Sequence, residues 1–165
     1  FYRRRVIAEN FETFDKADVK DLKNLISIIK LEKFIAKKSL YINPSFGNGS
    51  TLVGGADADL IIDDTLIDIK VTKELKLERK HLNQIIGYYS LSLIGGINAN
   101  PNLKIIKNIG IYFARHGELW TIPVDRIGKF ETFNDFNDWL VQNITKNYKS
   151  VNDFNDYLDS VFLKK

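Results

Sequence analysis

The sequence predicts an α/β domain in which helices flank a central mixed β-sheet. Apolar residues recur at three- and four-residue steps over residues 16–38 and about 77–94, the period of amphipathic helices. Short runs rich in Ile, Leu and Val are bounded by Gly, Asn or Asp and predict strands at 40–43, 52–62, 66–72, 105–114 and 119–124. The resulting order of helix, strand, hairpin, helix, hairpin and helices is typical of an α/β fold.

Length and composition narrow the class of protein. A chain of 165 residues suits one domain of about 100–200 residues, so we treat residues 1–165 as a single domain. The absence of cysteine excludes disulfides and thiolate zinc sites, and a formal net charge of +3 is too small to indicate nucleic-acid binding by itself. No apolar run approaches the ~18 residues of a membrane-spanning helix, so we expect a cytoplasmic protein. Because the chain does not begin with Met, we expect a fragment of a longer protein or a trimmed start.

The predicted hairpin at residues 54–70, with the sequence GGADADLIIDDTLIDIK, contains a cluster of acidic residues and ends at Lys70. Alternate side chains of a strand share a face, so Asp68 and Lys70 point the same way. If the turn is centred on 63–64 with an even number of loop residues, Asp59 lies across from Asp68 and Asp57 across from Lys70. An odd loop or a bulge would break this pairing, because a slip of one residue moves a side chain to the other face.

Three carboxylates and one ammonium on one patch would destabilise the fold if no ligand were bound there. Like charges opposite each other on a sheet repel, and carboxylates this close do not all ionise cheaply without a cation. Hard oxygen ligands suit Mg²⁺ or Mn²⁺, which retain waters for chemistry. Lys70 would then lie beside the metal, where it can orient a water or stabilise charge on a phosphate.

These residues resemble the PD-(D/E)XK nuclease superfamily, which has the restriction-endonuclease-like fold. Asp68-Ile69-Lys70 matches the (D/E)-x-K half of its motif. The first half is open between Asp57, which fits the Gly-x-x-Asp of RecB-like members, and Asp59, which fits a small residue followed by Asp and an apolar run. RecB-like members also carry Gln-x-x-x-Tyr in the next helix, and Gln84 to Tyr88 matches that pattern in order and place.

The resemblance implies a metal-dependent deoxyribonuclease. Asp57 and/or Asp59 would bind one or two Mg²⁺ together with Asp68, and the backbone carbonyl of Ile69 would also reach the metal. The metal would activate a water and neutralise charge at the scissile phosphate, while Lys70 assists. The substrate would be held by Gln84 and Tyr88. Apart from the resemblance, Lys73 in the basic run after Lys70 is either a further contact to a nucleic-acid backbone or an exposed residue at a helix start.

Other functions remain open at this point. A catalytically inactive copy of the fold would serve as a nucleic-acid-binding or assembly module, and an acidic patch could bind Ca²⁺ for stability. The expected partners are nucleic acid, most simply DNA, and either a second copy of the chain or another domain of a larger protein. We expect no membrane partner.

Two features outside the motif complete the predictions. The sequence NDFNDWL at 134–140 recurs as NDFNDYL at 152–158, and we expect two extra C-terminal helices from this repeat. His81 is expected to be an exposed or capping residue rather than a metal ligand.

Overall fold

A five-stranded mixed sheet forms the centre of the molecule, in a computed structural model that describes residues 15–103 and 105–144. The strands lie in the order β1-β2-β3-β4-β5, and only β3 and β4 pair in parallel. The elements are α1 Lys16–Ser27, a 3₁₀ turn Leu31–Phe34, β1 Leu40–Ile42, α2 Asn48–Leu52, β2 Leu60–Ile62, β3 Thr65–Lys70, α3 Arg79–Gly95, β4 Asn108–Phe113, β5 Glu118–Pro123, a 3₁₀ turn Val124–Arg126 and α4 Phe130–Ile144. The predicted α/β class with helices flanking a mixed sheet is confirmed.

The β2–β3 hairpin has the register that the sequence predicts. Ile62 pairs with Thr65 and Leu60 with Ile67 across a two-residue turn. The turn is fixed by Asp63, whose φ is +53° and whose carboxylate accepts the backbone N–H groups of residues 37, 38 and 39 at 2.6–3.2 Å. These hydrogen bonds connect the turn to the segment before β1, and they lower the pKa of Asp63.

The two faces of the sheet are covered differently. One face is buried under α3 and α4, and its core includes Ile61, Leu66, Ile109 and Ile111, each with no exposed surface. The other face has a smaller cluster around Ile67, which the segment containing the first 3₁₀ turn covers in part. Because side chains alternate, Asp68 and Lys70 share the α3 side of the sheet with Leu66.

Two predicted elements are shorter in the structure. The helix predicted over 16–38 ends at Ser27 and is followed by the 3₁₀ turn at Leu31–Phe34. Asp15 caps the start of α1 by accepting the N–H of Ala17. The strand predicted over 52–62 is wrong before Leu60. Gly54 and Gly55, at φ +75° and +114°, leave the β conformation after α2, so this stretch turns.

The structure describes one of the two copies of the NDF repeat. Of the NDF repeat, the first copy forms α4, and the second copy at 152–158 lies outside the described residues. Within residues 15–103 and 105–144, no helix is both long and apolar enough to cross a bilayer.

Helix α1 is held to the sheet by ion pairs. The guanidinium of Arg115, in the β4–β5 turn, donates two hydrogen bonds to Asp21 at 3.0 and 2.7 Å. Just after α1, Lys30 and Lys33 both reach the carboxylate of Glu118 on β5, at 2.7 and 2.9 Å. Surface pairs of this kind contribute little each, so this attachment is weaker than a buried apolar contact.

The carboxylate of Glu118 makes this attachment dependent on pH. Hydrogen bonds from Lys30 and Lys33 lower the pKa of Glu118 from 4.5 to about 2. A depressed folded-state pKa stabilises the fold above the unfolded value, and the stabilisation is lost as the pH falls through the folded value. We therefore expect the stability difference between wild type and Glu118→Gln to be constant above pH 4.5 and to shrink toward pH 2. Urea denaturation of both proteins at several pH values measures it; a difference that stays constant down to pH 2 would contradict the assignment.

The close approach of α2 to the end of α3 leaves no room for a side chain at Gly95. A Cβ added at Gly95 would lie 1.8 Å from the carbonyl oxygen of Phe46 and 2.6 Å from the backbone nitrogen of Gly49. Gly→Ala in a helix ordinarily gains about 1 kcal/mol, but overpacking against backbone costs about 1–3 kcal/mol or more. We expect Gly95→Ala to destabilise the fold by roughly 2 kcal/mol in urea denaturation. Gly54→Ala is the control, because a Cβ there meets nothing within 4 Å, although its φ of +75° costs about 1 kcal/mol.

Candidate active site

The candidate site lies at the carboxyl end of β3, on the face covered by α3. The β2–β3 ladder ends at the pair Leu60–Ile67, and its register, continued by one residue, places Asp59 beside Asp68 as the sequence predicts. Asp59 is held there by its backbone carbonyl, which accepts the N–H of Asn43 at 2.9 Å, and by its side chain, whose Oδ2 accepts the N–H of Ile69 at 2.6 Å. The two carboxylates are therefore on neighbouring strands of one rigid surface.

Asp68 is the buried carboxylate of the site, with 3% of its surface exposed. Burial raises the pKa of Asp68, and the charge of Asp59 raises it further, while the adjacent ammonium of Lys70 lowers it. Lys70 Nζ lies 2.6 Å from Asp68 Oδ2. This contact is an ion pair, and among the described residues no donor forms a well-directed hydrogen bond to Oδ2. Asp68 is thus a buried acid whose negative charge is incompletely compensated.

Lys70 connects the sheet to α3. Its ammonium lies 2.6 Å from Asp68 Oδ2 and donates a hydrogen bond of 2.6 Å to Gln84 Oε1. Gln84 Nε2 in turn donates to the hydroxyl of Tyr88 at 2.8 Å. Gln84 and Tyr88 are one helical turn apart on α3, so a single helix face presents both to the end of β3.

All three aspartates affect the pKa of the Tyr88 phenol. Burial raises the pKa of the Tyr88 phenol, the hydrogen bond with Gln84 lowers it, and the charges of Asp68, Asp59 and Asp57 raise it. Asp57 is exposed and forms an isolated β-bridge with Ser45. The three carboxylates are therefore near enough to Tyr88 to influence its phenol, with Asp68 buried, Asp59 half-buried and Asp57 at the surface.

The predicted site also includes Ile69 and Lys73. Ile69 donates its N–H to Asp59, and in a strand the N–H and C=O of one residue point to the same side, so its carbonyl faces the Asp59 edge. Lys73 is exposed beyond the end of β3, and the structure does not bring it to the network of Lys70 and Gln84. Its predicted role in substrate binding therefore has no support from the described contacts.

The acidic residues do not form a compact ligand set by themselves. In the described part of the chain, no three His, Cys, Asp or Glu side chains are grouped closely enough to hold a metal ion. The ammonium of Lys70 is instead the cation beside Asp68. A divalent cation would have to share Asp68 with Lys70, or displace Lys70 toward Gln84.

Sequence reasoning missed two residues that build the site. His81 is buried, with 3% exposure, although it was expected to be exposed or capping; the capping part is correct, since Nδ1 accepts the N–H of Glu78 at 3.4 Å. Burial and the nearby charge of Lys70 lower the pKa of His81. Phe46 is fully buried and its ring lies 5.7 Å from that of Tyr88. The alternation of polar and apolar residues gives no signal for Phe46, because it lies in a loop between Pro44 and Gly47.

Comparison of the chain with protein-family models, with curated proteins and with solved structures finds no match. The site is therefore interpreted from its own residues and geometry.

The buried pair of Asp68 and Lys70 is expected to be energetically coupled. Removing one member of a buried pair leaves the other charge uncompensated, whereas replacing both by neutral residues avoids that cost. In urea denaturation at pH 7 with EDTA, we expect Asp68→Asn and Lys70→Met to show a coupling free energy of about 1–3 kcal/mol in a double-mutant cycle.

Lys73→Met is the matched control for the cycle, since Lys73 is exposed at the same end of β3. Its effect should stay within about 0.5 kcal/mol. If the effects of Asp68→Asn and Lys70→Met simply add, the two groups do not interact as the 2.6 Å contact requires.

Proposed function

We propose that this chain is a divalent-metal-dependent nuclease that hydrolyses phosphodiester bonds of DNA. The observation that carries the proposal is the position of the Lys70 ammonium, 2.6 Å from both the buried carboxylate of Asp68 and the amide oxygen of Gln84. The same residue types stand in the same order in the PD-(D/E)XK motif with its Gln-x-x-x-Tyr extension.

The proposed fold is restriction-endonuclease-like. Support comes from the order α1, β1, α2, β2, β3, α3, β4, in which the antiparallel strands β1 to β3 are followed by a helix and a strand parallel to β3. The candidate site lies at the carboxyl end of β3, beside the helix that makes the parallel crossover, where α/β folds commonly place their sites.

The residues present fit Mg²⁺ or Mn²⁺. Asp59 and Asp68 offer carboxylate oxygens from adjacent strands, the ligands that these cations prefer. Burial raises the pKa of Asp68 and leaves Oδ2 without a well-formed hydrogen bond, so this oxygen lacks a full complement of partners. When bound, the cation would neutralise charge on a phosphate and polarise an attacking water.

The side chains of the network have defined tasks in this proposal. An ammonium has three donors. Lys70 uses one in its hydrogen bond to Gln84 and forms an ion pair with Asp68, so at least one donor stays available for a phosphate oxygen or a water. The hydroxyl of Tyr88 accepts from Gln84, which leaves its own proton to donate to the substrate. Gln84 thus positions Lys70 and Tyr88 together.

A cleavage assay with matched variants tests this function. Circular and linear DNA, with RNA as a second substrate, would be incubated with the protein in Mg²⁺, Mn²⁺ or EDTA. We expect metal-dependent cleavage by wild type and a loss of at least about 10²-fold in Asp68→Asn and in Lys70→Met. Retained activity in either folded variant would remove the mechanism.

Lys107→Met is the control, because it makes the same chemical change at the opposite end of the sheet, where its side chain is 79% exposed. Its activity should equal that of wild type. Asp57→Asn and Asp59→Asn, assayed in parallel, distinguish the two candidate partners of Asp68.

An inactive nucleic-acid-binding module of the same fold is the second candidate. It is favoured by one observation, the absence of a three-ligand acidic cluster within residues 15–103 and 105–144. In that case folded wild type would bind DNA in a fluorescence anisotropy titration without cutting it in either metal.

A further inference from the structure

Helix α1 is oriented with its apolar stripe toward solvent. Val19, Leu22 and Ile26 lie on one side of the helix and are 38%, 60% and 67% exposed. The residues of α1 that are half-buried are Asp21 and Leu25, on the side that faces the sheet. Asp21 holds that orientation through its two hydrogen bonds with Arg115. An amphipathic helix normally buries its apolar stripe, so this one lacks a partner within the described part of the chain.

The spacing of the stripe is that of a helix pair. Val19, Leu22 and Ile26 are separated by three and four residues, as the a, d and next a positions of a heptad are. β-branched residues at a, with Leu at d, favour two-stranded parallel pairing. The residue types therefore select a single partner helix rather than a flat surface.

Charges beside the stripe select a second copy of the same helix. In this heptad frame Asp18 is at g and Lys23 is at the following e, the two positions that face each other across a parallel pair. A two-fold axis would bring Asp18 of each copy next to Lys23 of the other, twice per dimer. Both side chains are exposed, and among the described residues neither has an ion-pair partner in its own chain. An antiparallel pair would instead bring like charges together.

We infer that α1 is the interface of a symmetric homodimer in which the α1 helices of two copies pack in parallel. The helix has 12 residues, fewer than two heptads, so the pairing is expected to be reversible, with a Kd on the order of micromolar. Leu31, which is 72% exposed just after α1, extends the apolar surface at the end of the helix. The inference is independent of the nuclease proposal, since it uses no residue of the candidate site.

The association state of the full chain tests the interface. Sedimentation velocity over about 5–200 µM brackets the expected Kd and should show a monomer–dimer equilibrium. Leu22→Lys should weaken the dimer by at least about tenfold, because it places a charge in the centre of the apolar stripe. Leu75→Lys is the matched control, with the same change at a residue 55% exposed outside α1, and it should leave the dimer unchanged.

A charge exchange then tests the partner and the orientation. Asp18→Lys turns two attractive contacts into two repulsive ones and should weaken the dimer roughly tenfold. Adding Lys23→Asp to that variant should restore the wild-type Kd, which only a parallel pair of identical helices predicts. A monomer at every concentration, a dimer insensitive to Leu22→Lys, or no restoration in the double variant would each overturn the inference. Circular dichroism melts confirm that each variant is folded.

Discussion

The register of β2 on β3 is the constraint on which the candidate site depends. Asp59, Asp68 and Lys70 share a face only because the turn between the strands has two residues. A slip of one residue would send Asp68 and Lys70 to the opposite face, away from α3. The carboxylate of Asp63 opposes such a slip, since it holds three successive N–H groups before β1 at 2.6–3.2 Å. An acid in the turn thus positions the acids of the site.

On the face of the sheet covered by α3, a solvent-free apolar core adjoins the buried carboxylate of Asp68. The core around Leu66 and Ile111 is closed to solvent, and Asp68 lies directly beside it with 3% exposure. Burial at this position opposes ionisation, as the raised pKa of Asp68 indicates, and Lys70 offsets only part of that cost. A core that stabilises the fold therefore also produces an incompletely compensated acid. A carboxylate in this state has a larger free-energy gain from a divalent cation than a solvated one would have.

Much of this arrangement could be predicted from local pattern. Strand alternation and the two-residue turn were enough to predict the register of the β2–β3 hairpin, and helical spacing was enough to place Gln84 and Tyr88 on one face. Both depend on neighbours within a few residues along the chain. Strand length before Leu60 could not be predicted the same way, because Gly54 and Gly55 interrupt an apolar run that otherwise reads as extended.

Long-range packing marks the limit of the sequence-based prediction. Polarity at a helical position predicted an exposed or capping His81, and the cap is present, but no local pattern indicates that His81 is buried with its ring 6.2 Å from that of Phe113 on β4. Phe46 lies in a loop with no period, and its contact with Tyr88 depends on where α2 packs against α3. Such contacts join segments about 30 to 40 residues apart, so no local pattern encodes them.

The contacts that hold α1 to the sheet are separate from the contacts that form the candidate site. Its contacts with the sheet are made by Asp21 and by the lysines that follow it, and they end at Arg115 and Glu118 in the β4–β5 hairpin. None of these groups contacts Asp68, Lys70 or Gln84, whose network is built entirely from β3 and α3. The contacts among Asp68, Lys70 and Gln84 therefore do not depend on how α1 is attached. Association through α1 would therefore bring two candidate sites into one assembly and leave the contacts within each site unchanged.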